Sequence, residues 1–233
     1  MIKKYEFIHN GSIVGEDCYG HGRDDTQEGK YLDSMRYIAS RYSNKTGNIL
    51  EWGSGVSTLV LSELVSQNEK GFLLTIDNDK NYLTSVVDAI DNKKRVVALG
   101  IDLIGPRESQ SDVCLNYSSY PLRFAEEFDV IYIDGRRRME CALTAAIISH
   151  EDTVVFIHDY RRARYQTAMA LFDVIEDGPH FRVMKVNPEI RNNFLRERHK
   201  IDAAIFANGV PLLRSTSNCE WIVVVNEAQG FSI

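Results

Sequence analysis

Residues that could bind a ligand are concentrated in the stretch Ile49–Thr58, which reads ILEWGSGVST. An apolar run predicts a buried strand, and Glu51 follows it. Gly53 and Gly55 then let the backbone turn sharply and approach a ligand without Cβ atoms in the way. A strand followed by a glycine turn and a helix predicts a nucleotide-type site at the carboxyl edge of a parallel sheet.

The residues around this turn narrow the ligand class. A phosphate-binding P-loop needs a lysine that is absent here, and a dinucleotide motif needs a third glycine where Thr58 stands. Glu51 would repel a pyrophosphate but suits a cationic ligand that carries an amine and a sulfonium. Ser57 and Thr58 can cap a helix predicted from about Thr58 to Val65. The alternative is an ordinary tight turn.

A second carboxylate, Asp77, ends the predicted strand Gly71–Asp77. In a doubly wound sheet, a carboxylate at this position can accept hydrogen bonds from both ribose hydroxyls of a nucleoside. Asn78 and Asp79 are its neighbours. Alternatively, the three residues only turn the chain and cap a helix predicted over about 81–90.

Asp134, His158 and Asp159 follow the predicted strands Phe128–Gly135 and Asp152–Ile157. Adjacent strands would bring the three side chains together. His158 has a suitable intrinsic pKa for a general base, and either aspartate could orient it. The same three residues could instead bind a divalent ion such as Zn²⁺ or Mn²⁺. A further alternative is a buried histidine bonded to backbone.

Arginines follow both strand ends. They favour an anionic substrate, although solvation and weak salt bridges are the alternative interpretation. The proposed substrate-binding residues are Arg136, Tyr160, Arg161 and Arg164. The long polar segment 101–121 lies where an adenine or a substrate would sit, and Asp102 could contact the adenine amine.

The turn from Glu51 to Gly55 resembles motif I of the class I S-adenosylmethionine-dependent methyltransferases. The stretches Ile133–Arg136 and Phe156–Arg161 resemble motifs of glucuronoxylan 4-O-methyltransferase-like proteins and related bacterial methyltransferase-like proteins. The resemblance covers roughly residues 49–186, and departs from the plant enzymes at Arg137 and Arg138, where a longer insert is expected. It implies S-adenosylmethionine binding, with these cofactor-binding residues: Glu51, Gly53, Ser54, Gly55, Ser57, Thr58, Asp77, Asn78 and Asp102.

Alternating strands and helices predict an α/β fold, a doubly wound Rossmann-like sheet of seven strands, mostly parallel with an antiparallel last strand. Helices are predicted at 26–42 and 139–149, and Phe172–Ile175 is predicted to end a helix. The remaining predicted strands are Arg95–Leu99, Phe181–Val186 and Glu220–Val225. We expect one methyltransferase domain over 1–233, comprising an N-terminal arm or cover (1–25), a cofactor-binding core (26–186) and a C-terminal extension (187–233).

Composition sets the remaining expectations. The 233 residues carry a net charge of −6, which disfavours general attraction to nucleic acid or anionic membranes. Four dispersed cysteines and no apolar leader predict a cytoplasmic protein without a membrane span. We expect an O-methyltransferase acting on a small or saccharide-linked anionic hydroxyl compound. A nucleic-acid methyltransferase, a catalytically silent binding protein and a homo-oligomer remain open.

Overall fold

The computed structural model describes residues 47–67, 71–101, 103, 117–123, 127–178 and 180–197, together with the backbone of 7–9, 12–14 and 223–224. The predicted helix over 26–42 and Asp102 lie outside these residues, as does most of the segment 101–121. In the N-terminal arm, two short strands, β1 (Phe7–His9) and β2 (Ser12–Val14), pair antiparallel.

One mixed sheet of eight described strands forms the centre of the protein. Its strands are β3 (Ile49–Trp52), β4 (Leu73–Asp77), β5 (Val96–Gly100), β6 (Val130–Ile133), β7 (Val154–His158), β8 (Phe172–Asp177), β9 (Phe181–Val186) and β10 (Val223–Val224). Their order across the sheet is β10-β5-β4-β3-β6-β7-β9-β8. The five strands from β5 to β7 are parallel, whereas β9 runs antiparallel to β7 and β10 antiparallel to β5.

Helices connect the parallel strands and cover the sheet. They are α1 (Val56–Ser66), α2 (Lys80–Asp88), α3 (Arg138–Ile148), α4 (Gln166–Met169) and α5 (Pro188–Arg196). Every residue of β3, β4 and β6 is buried, as expected for parallel strands covered on both faces. Two large groups of buried apolar side chains, centred on Trp52 and Leu59, make up the core.

The predicted fold class is confirmed: the sheet is doubly wound, Rossmann-like and mostly parallel. The order from β5 to β8 accounts for seven strands, and the two-residue β10 adds an eighth at the β5 edge. Glu220–Val225 was expected to be the last, antiparallel strand. Its described part, β10, is antiparallel, but β9 is antiparallel as well.

One element was predicted wrongly. Phe172–Ile175 does not end a helix but belongs to β8, which pairs antiparallel with β9. A short apolar run such as this has no periodicity that separates helix from strand, and its partner β9 decides the outcome. Helix α1 also begins two residues earlier than predicted, at Val56, with Gly55 as its N-cap.

Sequence order along the sheet reverses at β3. The chain continues from β3 outward to β4 and β5, and then returns to the other side of β3 with β6 and β7. The carboxyl ends of β3 and β6 therefore form a topological switch point, where ligands bind in open α/β sheets. Among the described residues, no helix combines the length and the apolar character needed to cross a membrane.

Candidate functional site

The glycine turn after β3 packs directly on the turn after β6. Gly53 has φ +95°, and a Cβ atom on it would lie 2.4 Å from the Gly135 nitrogen and 2.9 Å from the Asp134 carbonyl carbon. A side chain is therefore excluded at Gly53 by both conformation and space. This contact places the Asp134 strand end beside the glycine turn.

Gly55 is buried but is in a different situation, because a Cβ atom there would meet only one side-chain atom among the described residues. Its φ of 169° is extended backbone that any residue can adopt. The nearest atom to a Cβ built there is the Tyr82 hydroxyl oxygen, at 3.4 Å. The α1 N-terminus that follows has no acidic residue in its first turn, so its free N–H groups present a partial positive charge. Within the described residues, the structure thus leaves a gap beside Gly55.

Glu51 lies beneath the turn and holds it in place. Its Oε2 accepts hydrogen bonds from the hydroxyls of Thr58 and Thr75, both at 2.6 Å, and Thr58 Oγ1 accepts the Gly55 N–H at 2.8 Å. Glu51 is fully buried, and burial raises its pKa to about 7 although Ser57, Thr58 and Thr75 act in the opposite direction.

Two buried polar atoms at this turn make no hydrogen bond of ordinary geometry within the described residues, although Ser57 is close enough to Glu51 to lower its pKa. They are Glu51 Oε1 and Ser57 Oγ, from residues that are 0% and 1% exposed. Native proteins rarely leave such atoms unpaired, and the exceptions call for a ligand or a water molecule. Together with the gap at Gly55, they fit a bound polar group close to the turn.

Asp77 links β4 to the same turn. Its Oδ2 accepts the Ser54 N–H at 2.9 Å and the Ser54 hydroxyl at 3.0 Å, and its Oδ1 accepts the Asp79 N–H at 2.8 Å. Burial raises the pKa of Asp77, against the effect of these bonds. Asp79, not Asp77, caps α2 by accepting the Tyr82 N–H. Asp77 thus lies at the predicted position, and Asn78 beside it is half-buried.

The structure brings Asp134, His158 and Asp159 together, as predicted from the strand order. His158 Nδ1 lies 3.3 Å from Asp134 Oδ1 and 3.6 Å from Asp159 Oδ1. Asp159 has φ 57°, an uncommon left-handed conformation that aspartate tolerates better than most residues. Its N–H donates to the His180 carbonyl at 2.7 Å, and the His180 ring stacks on His158 at a centroid distance of 6.1 Å.

Arg138 is a further residue of this cluster, not predicted from the sequence, and is only 8% exposed. Its guanidinium donates to the carbonyls of Gly135, His158 and Asp134 at 3.0, 2.6 and 2.6 Å. It also donates to Asp134 Oδ1 at 2.7 Å and lies 3.5 Å from Asp159 Oδ2. No local signal in the sequence marks this pair, because Asp134 follows a strand and Arg138 begins α3, so the i,i+4 rule for residues on one helix does not apply.

The described residues do not fit the metal alternative. Among them, no group of three or more His, Cys, Asp or Glu side chains is arranged to hold a metal ion. The cation that contacts Asp134 is the Arg138 guanidinium, which also faces Asp159. Asp134, His158 and Asp159 therefore converge without forming a metal-binding geometry.

The predicted substrate-binding residues are less uniform than expected. Tyr160 is buried, and its ring lies under the guanidinium carbons of Arg161 and Arg182 at 5.4 and 4.5 Å. Arg164 is exposed and stacks on Tyr165 at 4.9 Å. Arg136 is exposed as well. Three of the predicted residues are thus exposed arginines that follow the strand ends, whereas Tyr160 is a buried ring beneath one of them, Arg161.

Comparison with known proteins identifies the fold. The structure resembles a methyltransferase-like protein from Silicibacter pomeroyi DSS-3 with a TM-score of 0.56 and 19% sequence identity, over 72% of this chain and 92% of that chain. The chain therefore has the Rossmann-like methyltransferase fold. No protein-family model and no curated protein sequence matches it.

Two further solved structures show weaker similarity. One is a TDP-rhamnose 3′-O-methyltransferase of calicheamicin biosynthesis, with a TM-score of 0.49 and 13% identity over 68% of this chain and 80% of that chain. The other is an O-methyltransferase from Bacillus cereus in complex with SAH (S-adenosylhomocysteine), with a TM-score of 0.47 and 19% identity over 72% of this chain and 83% of that chain.

Proposed function

We propose that this protein is an S-adenosylmethionine-dependent O-methyltransferase. The observation that carries the proposal is the glycine turn at the switch point, which lies next to Asp77 on one side and the Asp134 strand end on the other and has few described atoms around Gly55. A cofactor bound there would lie between a carboxylate suited to ribose and the cluster formed by Asp134 and His158.

The residues of the turn fit this cofactor in distinct ways. Asp77 is at the β4 end, where its carboxylate would accept ribose hydroxyls, with Asn78 beside it. Gly55 would allow close approach of the methionine portion, and Ser54 and Ser57 would supply polar groups. Glu51 would act from below by fixing Thr58 against the Gly55 N–H.

When bound, S-adenosylmethionine supplies an activated methyl group. A hydroxyl acceptor must lose its proton, and His158 is the residue we assign as the base. Asp134 Oδ1 lies 3.3 Å from His158 Nδ1. A carboxylate there would favour the tautomer with its proton on Nδ1, which would leave Nε2 to take the proton of the acceptor. A positioned general base contributes a factor of roughly 10²–10⁴ in rate.

We propose an anionic acceptor, either small or attached to a saccharide. Arg136, Arg161 and Arg164 are exposed near the strand ends. Within the described residues none of them lies in an ion pair of 4 Å or less, although Arg161 contributes to lowering the pKa of Asp177. Arg162, by contrast, is paired with Asp159. Unpaired guanidinium groups recognise carboxylates and phosphates through paired hydrogen bonds.

Transfer of a labelled methyl group tests this proposal. Uronates, nucleotide sugars and simple hydroxy acids would be offered with labelled S-adenosylmethionine. We expect an acidic acceptor to be methylated, and Arg136→Gln and Arg164→Gln to raise its KM while cofactor affinity stays unchanged. Arg196→Gln, on α5, is the control for loss of one positive charge. Methylation of neutral acceptors alone, with KM unaffected by either site variant, would contradict the anionic acceptor.

A further inference from the structure

We propose that Arg138 is the positioning residue of this site: an internal cation that fixes Asp134 and His158 and takes the place that a divalent metal ion would need. The role of the positioned groups in methyl transfer rests on the proposed function. The geometry of Arg138 and its position among oxygen atoms do not rest on that function.

The Arg138 guanidinium makes several contacts to the ends of two strands, β6 and β7. Its Nε donates to the Gly135 carbonyl, one terminal nitrogen donates to the His158 carbonyl, and the other donates to the carbonyl and carboxylate of Asp134. The planar fork of an arginine can make these bonds simultaneously, whereas the single ammonium of a lysine cannot. Arg138 therefore joins the end of β6 to the end of β7.

Arg138 also holds the groups that orient His158. Asp134 Oδ1 lies between the Arg138 guanidinium at 2.7 Å and His158 Nδ1 at 3.3 Å. The same guanidinium binds the His158 carbonyl at 2.6 Å. Arg138 thus fixes both the carboxylate that faces the imidazole and the backbone that carries it. A group that orients the partner of a histidine determines its tautomer and ring direction.

Arg138 also supplies a positive charge to this cluster of acidic side chains. Asp134 is 8% exposed, and Asp159 and His158 are the other groups that a metal ion could use. The positive charge of Arg138 is buried between the two aspartates, 2.7 Å from one carboxylate and 3.5 Å from the other. A divalent ion at this point would have to displace a guanidinium that is held by four oxygen atoms and stacked on Tyr165 at 5.6 Å.

The proposal is tested by His158 spectra, by kcat and by Mn²⁺ binding. Arg138→Lys keeps the charge but not the fork, so in long-range ¹H–¹⁵N spectra we expect His158 to lose the single Nδ1-protonated signature of the wild type. We expect kcat to fall about 10–100-fold with S-adenosylhomocysteine affinity unchanged. Arg137→Lys is the matched control and should behave as wild type, because the Arg137 guanidinium pairs with Glu140 in the first turn of α3.

If Arg138→Lys does not fold, Asp134→Asn provides the second variant. It removes the carboxylate charge while leaving the carbonyl contacts of Arg138 available, and should likewise disturb the His158 signature. A wild-type His158 spectrum in every folded variant would overturn the proposal. These spectra need no acceptor, so their outcome is independent of whether the protein binds S-adenosylhomocysteine.

The wild-type protein tests the metal part directly. In a titration with Mn²⁺ followed by electron paramagnetic resonance, we expect no bound ion that depends on Asp134. Mn²⁺ binding that is lost in Asp134→Asn would overturn the assignment of Arg138 as the cation of the site.

Discussion

Gly53 and Gly55 are separated by one residue, but the structure constrains them differently. Gly53 has a positive φ and no room for a Cβ atom. Gly55 has extended backbone, and a Cβ atom added to it would lie 3.4 Å from the Tyr82 hydroxyl oxygen. We predict that Gly53→Ala lowers the free energy of unfolding by at least about 1–2 kcal/mol, the cost of the left-handed conformation alone. Gly55→Ala should remain folded.

The same pair separates folding from ligand binding. Gly55→Ala would fill the gap beside the turn, and we expect its affinity for S-adenosylhomocysteine to fall by about tenfold or more, equivalent to about 1.4 kcal/mol. Chemical denaturation and calorimetry on both variants make the comparison. Unchanged affinity in well-folded Gly55→Ala would move the cofactor away from this turn.

Glu51 should make stability depend on pH. Its pKa rises from an ordinary 4.5 to about 7 on folding, because burial disfavours the charged form. The protonated carboxyl therefore favours folding fully below pH 4.5, and this contribution is lost as the pH rises through 7. A pKa difference of this size corresponds to about 3 kcal/mol.

Glu51→Gln isolates this effect, since the amide does not titrate. Relative to wild type, the variant should become more stable by roughly 3 kcal/mol between pH 4.5 and pH 8. Urea denaturation of both proteins across this range measures the difference. Parallel stability curves would mean that Glu51 does not change its charge in the folded protein.

At the scale of elements, Thr58 connects α1 to the strand beneath it. Both Thr58 and Thr75 donate to Glu51, but only Thr58 also accepts the Gly55 N–H. Thr58→Val and Thr75→Val should each cost about 1–3 kcal/mol of stability through the lost buried hydrogen bonds. We predict that only Thr58→Val also weakens S-adenosylhomocysteine binding, measured by calorimetry. Equal weakening by both would show that Glu51, not the turn, controls affinity.

The elements also show what the sequence could and could not predict. Buried runs ending in Glu51, Asp77 and Asp134 indicated parallel strands whose ends meet, because parallel strands covered by helices are continuously apolar. The strand β8 was missed because Val174 and Ile175 are exposed at the sheet margin, so no alternating pattern marks a buried face.

The candidate site was predictable to a similar extent. The convergence of Asp134 with His158 followed from adjacent strand ends. The role of Arg138 did not, because a guanidinium that bonds to backbone carbonyls of two strands depends on tertiary contacts that residue types do not encode. The burial of Glu51 and of Tyr160 was equally hidden in the sequence.

For the whole molecule, the net charge of −6 and the exposed arginines at one edge have opposite effects on nucleic-acid binding. We predict weak RNA binding that decreases steeply with salt, because a few arginines would release few counterions against an overall negative charge. Fluorescence anisotropy with labelled RNA at two salt concentrations measures it. Tight, sequence-selective binding at physiological salt would instead favour a nucleic-acid acceptor.

The proposed methyltransferase function requires the switch point between β3 and β6 to bind the methyl-donor cofactor. Isothermal titration of the wild-type protein with S-adenosylhomocysteine tests it most directly. We predict one binding site per chain. At a ligand concentration 100 times Kd, binding should raise the free energy of unfolding by about 2.7 kcal/mol. If the well-folded protein does not bind S-adenosylhomocysteine, the proposed cofactor site is wrong.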